Sequence, residues 1–276
     1  MSNNSSLSKR AALRQQQELE ERNKKTKRIV GAGLGLLVVT AVVVLAIVIV
    51  QAITAPTSKP VATDQLTPAH ATANAGILLD GKEPSADKPH LIVYQDYQCP
   101  WCAMYETAFG TSVEQLVKDG RITAEFRTVH FLDGDVQDGP SRRAAVAAAA
   151  ADEVGFFWQY QQTIFANHKE SATAYPARQL RDDFAKEAGI TGDALTKFQD
   201  LFDTRSYNDF TAKAQAKFDE EGLTGTPAYL VSGQQIHLID GQGQPVIATT
   251  PDALYQMIAA AWEAGGKEIE KKPSDS

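Results

Sequence analysis

The chain has 276 residues, with 27 Lys or Arg against 34 Asp or Glu, for a net charge of −7. That length holds one or two domains. The charge is uneven: eight bases and three acids precede Ile29, leaving 19 bases against 31 acids in the rest. An acidic body argues against nucleic acid as a partner, because phosphate binding needs a basic face.

Residues 1–28 are polar, rich in Gln, Glu and Lys, and read as a cytoplasmic tail. Ile29–Val50 contains no charged residue over 22 positions. At 1.5 Å per residue it gives about 33 Å of helix, enough for a hydrocarbon core of ~30 Å. It is expected to be one transmembrane helix. The rival is a cleaved signal peptide, whose apolar core is normally about 7–15 residues behind a short basic leader. Here the leader is long, and a cut after Ala55 would leave Pro56 directly behind it. Lys24, Lys25, Lys27 and Arg28 flank the span on its N-terminal side. The positive-inside rule therefore puts the N-terminus in the cytoplasm. The expected location is the cell membrane, single-pass, with an extracytoplasmic domain. "GAGLG" within the span lacks the preceding strand that a dinucleotide fingerprint needs. Gly31 and Gly35 fit a small-xxx-small contact, but flexibility at a helix end is the plainer reading.

Residues 51–75 are rich in Ala, Thr and Pro and suit a flexible linker of ~25–30 Å mean span. One folded domain is expected over 76–266, with a frayed tail over 267–276. "GILLDG" reads as a short strand. "HLIVYQDY" reads as a buried strand, being apolar with β-branched and aromatic residues. Pro100 suits the first turn of a helix ending near Gly120. "RITAEFRTV" alternates like a strand. A long helical stretch follows from Ser141 through the aromatics at Phe156, Phe157 and Tyr160, which are expected to be core. Three further helices are read in "ARQLRDDFAKEAGI", "DALTKFQDLF" and "YNDFTAKAQAKFDEEGL". "TGTPAYLVSG" and "QQIHLID" return to strand character, and "PDALYQMIAAAWEAGG" closes as a helix. Strands bracketing a helical block, about 139–220, predict an α/β sheet with a helical insertion.

The only cysteines, Cys99 and Cys102, lie in "QDYQCPWC" at the strand-to-helix junction. The nucleophile of disulfide exchange is a thiolate, and a helix N-terminus stabilises an anion there. Cys99 is expected to attack or be attacked, and Cys102, one turn later, to resolve the mixed disulfide. A zinc site needs two more ligands at set spacing. The five histidines, at 70, 90, 130, 168 and 237, do not supply that pattern. Haem attachment would need His where Ala103 stands. An inert disulfide closing so small a loop would stabilise little, yet nothing inside the motif excludes it. No metal and no cofactor are expected. In "GTPAY", a cis peptide at Pro227 would turn the chain and leave the Thr226 backbone facing outward, able to hold a substrate strand. Asp96 is read as ending its strand in solvent, with relay of the Cys102 proton as the alternative. Trp101 is expected to contact substrate, and His130 to be structural.

"YQDYQCPWC", "AAVAAAAADEVGFFWQYQQTIF" and "GLTGTPAYLVSG" together resemble the membrane-anchored, DsbA-like branch of the thioredoxin superfamily, over about residues 88–264. The resemblance implies a thioredoxin fold with an inserted helical domain. It implies that Cys99 attacks, Cys102 resolves and Pro227 is the cis-proline. Strong oxidases of this family carry Pro-His between the cysteines, where this chain has Pro100-Trp101, and Pro100 and Asp96 are expected to tune the redox behaviour of the pair. Thr226 before the proline is also seen in isomerase relatives. The expected activity is thiol-disulfide exchange that introduces disulfides into secreted proteins, with a membrane redox partner for recycling. The alternatives are a reductase or isomerase of the same fold and a redox-inert binding module.

Overall fold

The computed structural model describes residues 59–168 and 174–270. The expected cytoplasmic tail, the membrane anchor over 29–50 and residues 51–58 of the linker lie outside the described residues. Among the described residues, no helix is long and apolar enough to cross a membrane.

The chain builds β1 (Ile77–Leu78), β2 (His90–Gln95), α1 (Pro100–Lys118) and β3 (Thr123–Thr128). Helices α2 (Pro140–Glu153) and α3 (Phe157–Ala166) come next. A π-helical stretch, Gln179–Phe184, then runs into one α turn, Ala185–Glu187. Helices α4 (Gly192–Asp203) and α5 (Asn208–Glu220) complete the helical block. The chain ends in β4 (Ala228–Val231), β5 (Gln234–Ile236) and α6 (Pro251–Ala264).

The five strands form one mixed sheet in the order β1-β3-β2-β4-β5. β2 and β3 run parallel, from His90 opposite Thr123 to Gln95 opposite Thr128. The remaining pairs are antiparallel. Every residue of β2 and β3 is buried, so the sheet is covered on both faces. Alternate residues of β2 feed two different cores. Leu91 and Val93 join Phe109 of α1 and Phe126 in the larger one. Ile92 and Tyr94 join Phe218 of α5 and Leu230 in the smaller. This is the period-two alternation of a strand, with both sides apolar.

Three elements differ from the sequence reading. The strand in "GILLDG" keeps only two residues, because Asp80 and Gly81 both take positive φ in a turn. The long helical stretch is two helices, broken where Gly155 adopts φ +81°, a conformation cheap only for glycine. "ARQLRDDFAKEAGI" is π-helical over six residues, Gln179–Phe184. Residues 59–75, expected within the linker, are bonded to the domain: Ala62 donates to Thr204 O at 2.8 Å and Leu66 to Ser206 O at 2.7 Å.

Candidate active site

β2 delivers the chain to the site. After Gln95 the backbone turns, with the Cys99 amide donating to Asp96 O at 3.0 Å, and α1 starts at Pro100. Cys99 is thus the residue capping the helix N-terminus. Proline fits the next position because no intrahelical acceptor awaits its missing N–H. The antiparallel pairing of β2 with β4 places Tyr94 opposite Ala228. Continuing past that pair along both strands brings Thr226 up to Cys99. The Thr226–Pro227 peptide is cis. The Cys99 thiol donates to the Thr226 carbonyl at 3.1 Å. That carbonyl faces the sulfur, while the Thr226 hydroxyl is buried without a partner.

Both cysteines are free thiols in this structure. Cys99 is 5% exposed and Cys102 3%, but only Cys99 opens on a surface cleft. Their acidities diverge. Cys99 is lowered to about 6, first by a hydrogen bond from Cys102, against the effect of burial. The amides of Cys102 and Trp101 add to the lowering. Cys102 is raised well above its ordinary value, chiefly by burial and then by Cys99. The pair therefore holds one thiolate near neutral pH, on Cys99, and keeps the proton on Cys102.

Asp96 is not at a solvent-facing strand end. It is fully buried. The loop after β3 and the start of α2 close over it and supply its donors. Its carboxylate accepts from Gln98 N at 2.9 Å, Leu132 N at 3.2 Å and the Ser141 hydroxyl. Burial raises it to about 7, its hydrogen bonds opposing and the charge of Asp133 assisting. The carboxyl bonds run toward the loop. It is the Asp96 amide that lies 3.5 Å from Cys102 Sγ.

Asp133 continues this polar web. It accepts from Ser141 N at 3.0 Å, Arg142 N at 2.8 Å and Gln98 Nε2 at 2.9 Å. It thereby caps α2 from outside the helix. Asp133, Gln98 and Ser141 were missed in the sequence. One signal was present: α2 starts Gly139-Pro140-Ser141, with no Ser, Thr, Asp or Asn at its N-cap, so its free amides need a remote acceptor. His168 was also passed over. Its Nε2 lies 3.0 Å from Gln98 O, just before Cys99. Trp101 is 39% exposed and lines the cleft beside Cys99. His130 is half-buried, its amide bonded to Gln215. Phe157 and Tyr160 are core, whereas Phe156 is half-buried against it. Among the described residues, no three His, Cys, Asp or Glu side chains gather to hold a metal.

A family model described as thioredoxin matches residues 83–244, more than half of the chain. The chain belongs to the thioredoxin family. Its structure is similar to that of MdbA, a thiol-disulfide oxidoreductase from Actinomyces oris, at 17% identity and a TM-score of 0.57, covering 75% of this chain and 98% of that one. It is also similar to MdbA from Corynebacterium diphtheriae, at 21% identity and a TM-score of 0.54, covering 66% and 92%. BdbD from Bacillus subtilis matches at 16% identity and 0.53, covering 72% and 99%. These likenesses show the fold. A curated relative, Na(+)/H(+) antiporter NhaA 3 from Salinispora tropica, is 29% identical over 148 residues. The match takes in 53% of this chain but only 20% of that protein's length.

Proposed function

We propose that the protein is an extracytoplasmic thiol-disulfide oxidoreductase that introduces disulfides into secreted proteins. The observation that carries this reading is the split acidity of the pair, Cys99 low and Cys102 high. A stabilised thiolate favours the reduced pair, which makes the oxidised pair a good electron acceptor.

The exchange starts from the Cys99–Cys102 disulfide. A substrate thiolate attacks Cys99 Sγ. The Cys99–Cys102 bond breaks as the substrate–Cys99 bond forms, and Cys102 leaves as a thiolate that takes up a proton. A second substrate thiolate then attacks the substrate sulfur and expels the Cys99 thiolate. The substrate has lost two electrons and gained a disulfide, and the pair has gained both electrons. A membrane redox partner that accepts two electrons restores the disulfide. Trp101 and the backbone at Thr226 and Pro227 hold the substrate segment. The apolar segment 29–50 serves as the membrane anchor.

Trp101 favours a second reading, a reductase or isomerase kept reduced, because it does not supply the extra positive charge that a histidine between the cysteines would. One measurement separates the two: the reduction potential of the Cys99–Cys102 pair, equilibrated against glutathione. Strong oxidants of this chemistry stand at about −120 mV and thioredoxin at about −270 mV. A value above about −180 mV supports the oxidase, and one below about −250 mV overturns it. The thiolate absorbance of the reduced protein should titrate with a midpoint near 6 and vanish in Cys99→Ala.

A further inference from the structure

Two consecutive peptide groups lead into Cys99, and each is held at both ends. In the first, between Tyr97 and Gln98, the Gln98 amide donates to Asp96 Oδ1 at 2.9 Å and the Tyr97 carbonyl accepts from Tyr175 Oη at 2.7 Å. In the second, between Gln98 and Cys99, the Cys99 amide donates to Asp96 O at 3.0 Å and the Gln98 carbonyl lies 3.0 Å from His168 Nε2. A carbonyl oxygen only accepts, so Nε2 carries the proton. The division is regular: Asp96 holds the two amides, and two side chains of the helical block hold the two carbonyls.

The helical block is built to deliver these donors. Phe165, in the last turn of α3, packs on Tyr97 with ring centroids 5.0 Å apart. The His168 amide donates to Phe165 O at 3.1 Å. The turn that packs on Tyr97 therefore also carries the imidazole to Gln98. Tyr175 takes φ +51°, a conformation rare for a bulky residue. Its carbonyl accepts from the Arg143 guanidinium at 3.3 Å. The exchange scheme uses neither His168 nor Tyr175.

We propose that His168 is a positioning residue for disulfide exchange: from the helical block it fixes the peptide on which Cys99 hangs, and with it the register of the sulfur on the donors at the start of α1. A residue's backbone is set by the peptide on either side of it. The peptide after Cys99 is set by α1, where the Ala103 amide donates to Cys99 O at 3.2 Å. The peptide before it is held by Asp96 at its amide and by His168 at its carbonyl. Cys99 Sγ meets the Cys102 thiol and the amides of Trp101 and Cys102 from this one setting. With the carbonyl released, that peptide can rock about its remaining bond, and the thiolate loses part of its stabilisation. The inference rests on exchange through Cys99 and adds the group that holds the attacking sulfur in place.

The test uses the full chain and its equilibrium with glutathione. A bond that only supports the fold stabilises the disulfide and dithiol forms alike and cancels from this equilibrium. A bond that positions the thiolate does not cancel. His168→Ala should move the equilibrium toward the disulfide by about three- to tenfold, the worth of one hydrogen bond. The thiolate midpoint of Cys99, near 6 in the unaltered chain, should rise in step. His168→Gln places an amide donor at similar reach and should bring both readings back to within about twofold of wild type. An equilibrium in His168→Ala equal to that of wild type overturns the proposal and leaves the exchange activity standing. A Gln variant no better than the Ala variant overturns it as well. A wild-type pair that does not exchange with glutathione overturns the proposed function and this inference together. A measurement on the unaltered protein stands apart from the folding of any variant. With ¹⁵N in the imidazoles, His168 Nε2 should carry a proton, and its signal should move when the disulfide forms. A proton on Nδ1 alone, or a signal blind to the redox state, overturns the proposal.

Discussion

Two clusters of buried carboxylates sit at different places on the same sheet, and they solve burial in opposite ways. Behind the cysteines, Asp96 and Asp133 are held by amides, a hydroxyl and a glutamine, with no cation among the described residues bonded to either carboxylate. In the other cluster Glu125 and Glu221 bond Arg127, which is 1% exposed and reaches Tyr94 Oη at 2.7 Å and Glu270 at 2.9 Å as well. The consequence is a divergence between residues of equal burial. Desolvation carries Asp96 up to about 7. For Glu125 desolvation pushes the same way, but His90 and Arg127 more than offset it and hold the acid below its ordinary value. Neutral donors satisfy a buried carboxylate's geometry without cancelling its charge. A charged partner does both, and its loss is then costly.

The largest effect should follow from breaking the charged cluster. Arg127→Met leaves Glu125 and Glu221 buried without the guanidinium they share and should cost about 3–5 kcal/mol, read from urea denaturation at pH 7. A loss under about 1 kcal/mol would show that the two clusters do not differ as argued.

The comparison sharpens with pH. Asp96 is raised, so its contribution is fully present below about 3.8 and is lost as pH rises through about 7. Between pH 5 and pH 8, wild type should lose on the order of 1–3 kcal/mol that Asp96→Asn does not lose. Glu125 runs the other way: its contribution is present above 4.5 and fades as pH falls through its lowered value. Parallel pH profiles for wild type and Asp96→Asn would contradict the assignment.

The smallest effect belongs to a neutral donor. Ser141→Ala removes one of three hydrogen bonds to Asp96 and should cost about 1–2 kcal/mol. The lost bond should also move the Asp96 titration further up, seen as a shifted carboxyl resonance.

These clusters also mark what could be read in advance. Cys99 and Cys102 were legible because the chemistry lies in their spacing and in a proline that only a helix start accommodates. The sheet and the helices that follow it were legible because apolar periodicity is local. Asp96 was misjudged because a short acid after a strand is usually a turn residue. Its burial depends on Leu132 and Ser141, 36 and 45 residues away. The break at Gly155 was hidden because the Ala-rich run before it and the spacing of the aromatics after it both read as helix.

Gly139 touches neither cysteine. A Cβ there would lie 2.1 Å from Asp133 Cγ, inside the space that the carboxylate fills as it caps α2. One methyl group at this position would therefore evict the acid, free Gln98 beside Cys99 and release the wall of the cleft together. Tolerance to substitution around this site is set by wiring and not by nearness: the hydrogen on the Gly139 α-carbon guards the reacting sulfur more closely than many of the side chains around it.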